Sequence, residues 1–124
     1  MATTVSRKNS VESRPRVIVS KRRETVDAVH TVVALRGELD AAALTTLVDS
    51  FDEAIAQGDT DVVVDLAEVD FIGAAWIGTL VRNRALLRSQ HRDLVLRSPS
   101  HVVHRLLDLC GLSYLIEPVD IAPN

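Results

Sequence analysis

His101, His104 and Asp108 fall three and four residues apart, so a helix would bring two imidazoles and a carboxylate onto one face. Metals use that geometry, but a closed site takes four ligands and no further donor stands near these three. The plainer account is a solvated helical face. Asp65 and Asp70 are the other close pair of chemically useful groups. Paired carboxylates do acid–base work only in a pocket that perturbs them; without one, Asp65 ends a strand and Asp70 shapes the following loop. Cys110 is the single cysteine, which excludes an internal disulfide and a thiolate metal cluster. Its place on the apolar side of the same helical run predicts a small buried hydrophobe rather than a redox sensor. The chain carries no G-x-x-x-x-G-K-[ST] phosphate loop, no G-x-S-x-G elbow and no H-E-x-x-H helix. Neither catalysis nor a metal or cofactor is expected; the chemistry left is recognition.

The chain of 124 residues has room for one domain. At this size roughly two-thirds of the unfolded surface is buried, so a core without staples is feasible. Apolar residues make up 47% and aromatics only 3%, which suits an aliphatic interior and argues against stacking platforms for single-stranded nucleic acid. The net charge of -3 hides an asymmetry: residues 1–23 hold seven Lys/Arg against Glu12, leaving sixteen acids and seven bases, or -9, in the rest. A basic arm can visit anionic surfaces, but an acidic body opposes docking onto DNA, and no nucleic-acid partner is expected. The N-terminus lacks the apolar run of a secretory signal. No stretch approaches the roughly 20 apolar residues that span a bilayer, so no membrane partner is expected and the cytosol is the default location.

Residues 1–15 are polar, end at Pro15 and are expected to form a disordered basic tail, with a second short tail at 119–124. Val17–Ser20 reads as a strand closed by the charged turn Lys21–Asp27, and His30–Leu35 as its hairpin partner, ending at Gly37. Asp40 caps a helix whose Leu44, Leu47, Val48, Phe51 and Ile55 stack on one face, with Gly58 as a stop. Asp61–Leu66 is a nearly continuous apolar run, the pattern of a central strand covered on both faces. Gly73 precedes a second helix with Ile77, Leu80, Val81 and Ala85 inward. Leu94–Leu96 is a strand. Ser98-Pro99-Ser100 opens a third helix with Val103, Leu106, Leu107 and Cys110 inward, ended by Gly111. Tyr114–Ile116 is a last short strand. The order β-β-α-β-α-β-α-β predicts an α/β fold, a mixed sheet of four or five strands with three or four helices and right-handed crossovers.

Three segments in register resemble one family. Gly37-Glu38-Leu39-Asp40 resembles the G-E-L-D segment of anti-sigma-factor antagonists, the STAS domains. Residues 65–78, Asp65-Leu66-Ala67-Glu68-Val69-Asp70-Phe71-Ile72-Gly73-Ala74-Ala75-Trp76-Ile77-Gly78, resemble the pattern D-L-S-x-V-x-F-x-D-S-S-G-L-G. Cys110-Gly111-Leu112 resembles the late helix-Gly-Leu passage. The similarity spans residues 16–118, the expected domain. It implies a bacterial, non-enzymatic, cytoplasmic protein-binding domain whose partner is the kinase-like domain of an anti-sigma factor; binding frees a sigma factor for transcription, as in stress-response regulation. It further implies partner-binding positions at Asp40, Gly73, Ala74, Ala75, Trp76 and Thr79. A scaffold or competitor module in a larger signalling assembly is the alternative.

In that family the second serine of D-S-S-G is phosphorylated, and the phosphate blocks docking. A helix N-terminus favours a phosphate through its free N–H groups and dipole, and the added charge of about -1.5 to -2 opposes the partner. This chain departs at that point: Gly73 replaces the aspartate, Ala74 the first serine, Ala75 the phosphoacceptor and Trp76 the glycine. Alanine has no hydroxyl to phosphorylate. Thr79 follows Ala75 by one helical turn and reads as a neutral helix residue or as a substitute acceptor. Asp40 reads as a cap, a partner contact or both. Trp76 is ordinary core if packed inward and an interface anchor if exposed.

Overall fold

The computed structural model describes residues 15–25 and 28–118. The expected tails therefore lie outside the described residues, except for Pro15. The elements run β1 (Arg16–Thr25), β2 (Ala28–Leu39), α1 (Ala41–Ala56), β3 (Val62–Ile72), α2 (Ala74–Ser89), β4 (Leu94–Arg97), α3 (His101–Leu109) and a 3-10 turn (Ser113–Leu115). The sheet order is β1-β2-β3-β4, with β1 antiparallel to β2 and the other neighbours parallel. It is the expected α/β arrangement of a four-stranded mixed sheet and three helices.

The first strand is longer than expected. Cross-strand pairing with β2 continues through Arg22↔His30 and Arg23↔Val29, so the charged residues extend the ladder instead of turning. An edge strand tolerates such residues because one side faces water. β2 likewise passes through Gly37 to Leu39. Gly37 has φ 95° at a point where the register against β3 shifts, a backbone that an L side chain rarely adopts.

β3 departs furthest from expectation, running on to Ile72. Its register against β2 advances by three while β2 advances by two between Ala34/Arg36, and by two against one between Gly37/Glu38. Each shift puts an extra residue into β3 and breaks the alternation of buried and exposed positions. The exposed pairs Ala67/Glu68 and Asp70/Phe71 are the result. A period-two pattern therefore stops at Leu66 although the strand does not.

Residues of one alternating set, including Val33, Leu35, Val62, Val64, Leu66, Leu94 and Leu96, form the core with Phe51 and Ile55 of α1, Trp76, Leu80 and Leu87 of α2, and Val103 and Leu107 of α3. All three helices thus cover one face. The other face is not helix-covered as the apolar run suggested: Val32 and Val63 are buried, and a shallow cavity of about 220 Å3 lies over Ile18, Val32, Ala34 and Asp65.

Helix faces also shift. On α1, Phe51 and Ile55 are buried with Ala43 and Ala54, while Leu44, Leu47 and Val48 are half-buried. On α2, Ile77 and Leu80 point inward as expected, but Val81 and Ala85 are exposed. Trp76, Leu80, Asn83 and Leu87 take the seam at spacings of 4, 3 and 4. On α3, Val103 and Leu107 are buried and Leu106 is half-buried. Cys110 is exposed, because the helix ends at Leu109 and Gly111 (φ 72°) turns the chain away. The expected last strand shrinks to the 3-10 turn and a single parallel bridge, Leu96↔Ile116.

Arg92 ties the far end together. Its guanidinium is buried and donates to the carbonyls of Ile55, Gln57 and Thr60, the C-terminal end of α1 and the loop after it. Those carbonyls have no helical partner of their own. Arg92→Met should destabilise the chain by about 3 kcal/mol in urea titration, since buried acceptors lose their donor. A loss below about 1 kcal/mol would show that water replaces the guanidinium there.

Candidate functional site

The register Leu39↔Ile72 brings the carboxyl ends of β2 and β3 level, so the starts of α1 and α2 stand side by side. Open α/β sheets place their sites at such ends. β4 does not reach this point: it ends at Arg97, opposite Asp65, seven positions before Ile72.

Asp40 caps α1, its Oδ1 accepting from the Ala43 amide at 2.8 Å. Its backbone carbonyl accepts twice, from the Leu44 amide at 3.1 Å and from Trp76 Nε1 at 3.0 Å. The Gly73 amide donates to the Leu39 carbonyl at 2.8 Å, fastening the start of α2 to the end of β2. Gly73 makes no side-chain cap, so the positive end of the α2 dipole faces outward without a compensating carboxylate.

Around these anchors Asp40, Ala41, Ala42, Ala74 and Ala75 are exposed, and Gly73 is half-buried. Ala75 is the second residue of α2 and lies at the surface, where a phosphoacceptor would have to be. The structure therefore brings together Asp40, Gly73, Ala74 and Ala75 of the expected site and turns Trp76 and Thr79 inward. Trp76 is fully buried and meets Phe51 edge-on, with ring centroids 5.6 Å apart. Of its two readings the core one holds. Thr79 is 3% exposed and its hydroxyl donates to the Ala75 carbonyl at 3.0 Å. That hydroxyl is committed inside the helix and not presented to an incoming kinase.

Phe71, 43% exposed, joins the same edge and was not singled out from the sequence. Its ring comes within 3.7 Å of the position of a Cβ on Gly73. The signal that would have found it is the second register shift, which cannot be read from residue types. The other chemical candidates resolve as structure. Asp65 Oδ1 accepts from the Ala67 amide at 2.9 Å, holding the first bulge. His101, His104 and Asp108 line an open groove with Arg105 among them, and among the described residues no group of His, Cys, Asp or Glu is arranged to hold a metal. The surface offers a capping carboxylate, methyl groups, a phenyl ring and a helix N-terminus, a set suited to recognition.

The family described as "Mlab, STAS domain" matches residues 23–117. The chain belongs to the STAS domain family. Among solved structures it is similar to the anti-sigma factor antagonist SpoIIAA in its unphosphorylated form, at 22% identity and a TM-score of 0.61, covering 81% of this chain and 86% of that one. An anti-sigma-factor antagonist (STAS) domain protein from Planctomyces limnophilus gives 19% identity and a TM-score of 0.67 over the same shares. The phosphorylated form of SpoIIAA, a Bacillus cell fate determinant, gives 21% identity and a TM-score of 0.55 over 81% of this chain and 89% of that one. At these identities the likeness is one of fold. No curated protein matches the chain at a significant level. Among the described residues no helix is long and apolar enough to cross a membrane.

Substitutions at two positions test this part of the STAS domain. Trp76→Phe keeps a ring against Phe51 and deletes the N–H, and should cost about 1–2 kcal/mol in urea unfolding; Trp76→Ala opens a cavity and should cost about 3–5 kcal/mol. No loss in Trp76→Phe would mean that the hydrogen bond to Asp40 carries none of the effect. Gly73→Asp should stabilise the chain by about 0.5–1 kcal/mol, by restricting the unfolded backbone and capping α2. The φ of -89° and a nearest Cβ contact of 3.4 Å leave room for the side chain; a lower melting temperature would contradict that geometry.

Proposed function

We propose that this STAS domain is a non-enzymatic antagonist that docks onto the kinase-like domain of an anti-sigma factor through the starts of α1 and α2, and that its docking is not switched by phosphorylation at residue 75. The carrying observation is the position of Ala75: exposed at the opening of α2, next to the Asp40 cap, in a domain of this family. Relatives of the family resemblance present a hydroxyl there; this chain presents a methyl group. A phosphate would add a charge of about -1.5 to -2 at that point, and a methyl group cannot acquire it.

The arrangement of the surface supports binding without a switch. Asp40, Ala74 and Ala75 sit on two helix starts that share one carbonyl acceptor. A surface held in that way loses little conformational freedom on docking, which is the main cost that preorganisation removes. Partner side chains that carry a carboxylate or a carbonyl can accept from the uncapped amides of α2.

Two measurements check the proposal. In calorimetric titration against the kinase-type anti-sigma factors of the source organism, at least one should bind the full chain, and Ala75→Glu should weaken that complex tenfold or more by restoring a negative charge at the helix start. Incubation with the binding factor and ATP should leave residues 73–79 free of phosphate by mass spectrometry. Absence of binding across the set, or phosphate on the start of α2, overturns the proposal.

A further inference from the structure

The sheet face turned away from the helices is not built as a water-facing surface. Alternation puts Val32, Ala34 and Arg36 of β2 and Val63 and Asp65 of β3 on it, back to back with the core residues of the same strands. The register aligns them in rows across the sheet. Ser20, Val32, Val63 and Val95 form one row, and Ile18, Ala34 and Asp65 the next. Val32 and Val63 are a buried floor, Ala34 and Val95 are half-buried, and Ile18 is 39% exposed. β2, β3 and β4 run parallel. Parallel strands occur almost only where both faces of the sheet are covered; here helices cover one.

The charges on this face point to what covers the other. Arg36 of β2 and Glu68 of β3 are register neighbours at the rim of the 220 Å3 cavity. Neither makes an ion pair among the described residues. Asp65, on the β3 side as well, commits one oxygen to the Ala67 amide. The base thus lies on β2 and the acids on β3. A two-fold contact brings a patch against itself, so each charge needs its opposite across the axis. An axis along the strands, between β2 and β3, sets β2 of one copy over β3 of the other at the same height. Arg36 then faces the partner's Glu68, and Val32 faces the partner's Val63. Packed sheets lie about 10 Å apart, a gap that an arginine and a glutamate bridge together. Four strands at about 4.8 Å spacing and six residues at about 3.3 Å give roughly 380 Å2 of plane per copy. Side chains standing on that plane add accessible area, which puts the contact at the low end of specific interfaces.

We infer that a second copy of this chain covers the open sheet face, with Arg36 and Glu68 exchanged across a two-fold axis. Strands of the two copies run the same way and the helix layers lie outside, so the helix starts of both copies point to one end. On the function proposed above the dimer is bivalent for its partner; the contact itself does not depend on that reading.

Charge exchange decides it. Sedimentation equilibrium of the full chain over roughly 10 µM to 1 mM, with a reductant to keep the exposed Cys110 free, should show a monomer–dimer equilibrium. Arg36→Glu alone and Glu68→Arg alone should each weaken it about tenfold or more, because each sets like charges face to face. Mixing the two variants should restore a dimer within about threefold of the original Kd, since one then offers two carboxylates and the other two guanidinium groups. An ion pair within one chain cannot produce that rescue. Glu68→Gln, which keeps the side-chain shape, should weaken the dimer about threefold and serves where a reversal unfolds the chain. A chain monomeric over the whole range leaves the face to another protein or to one of its own termini, and overturns the inference. A dimer that none of these substitutions weakens lies elsewhere, such as the free edge of β1, and overturns it too. So does a mixture of folded variants no tighter than its components. Anti-sigma factor binding enters none of these readings, so the two proposals fail separately.

Discussion

One carbonyl oxygen, that of Asp40, holds the two helix starts together. It accepts the first hydrogen bond of α1 from the Leu44 amide and, in addition, the indole N–H of Trp76 from α2. The carboxylate of the same residue closes the cap of α1, so a single residue orients one helix start and receives the other. The Trp76 ring then runs into the core against Phe51, which α1 contributes about three turns farther on. An edge-on pair of this kind adds roughly 0.5–1.5 kcal/mol beyond its burial. The two helices are thereby tied at the surface by a hydrogen bond and beneath it by an aromatic contact, and neither start can shift without disturbing both.

The strands make that junction possible. Because β3 carries two extra residues, it stays paired with β2 to the end, Leu39 beside Ile72, while its side chains are turned out of strict alternation. Gly37 supplies the positive φ where the second shift occurs, and the Asp65 carboxylate takes up the Ala67 amide at the first. The motif residues that suggest chemistry on paper are therefore mostly backbone devices. They deliver Asp40 and Gly73 to the same place, and they leave Phe71 outside. With β4 stopping at Arg97, the site stands on a two-stranded extension of the sheet, clear of the rest of the structure and open to a large partner.

Element order and type were legible as far as α3 because each rests on local rules: the cap at Asp40, the apolar run at Asp61–Leu66, the Ser100 cap and the Gly111 stop. The family resemblance in residues 37–40 and 65–78 fell on the two segments that do meet in space. What escaped was set by tertiary pairing. Lys21–Glu24 are poor strand residues held in a strand by β2, and the bulges in β3 erase the pattern by which a strand is recognised. On α2 the inward face was misjudged at Val81 and Ala85 because Trp76 and Asn83, read one by one, do not declare a side; the seam at 76, 80, 83 and 87 does. Helical spacing puts Cys110 inside, but that spacing ceases to apply where α3 ends at Leu109.

The methyl group of Ala75 and the indole of Trp76 bear on the proposed docking in the same direction. A phosphoacceptor must be reached by a kinase, which requires the helix start to be exposed and locally yielding. A buried indole bonded across to Asp40 makes the start of α2 less able to yield, since opening it would strand the N–H of Trp76 and expose its ring, at a cost of several kcal/mol. Under the proposed function, the start of α2 is therefore a fixed docking surface rather than a modifiable one.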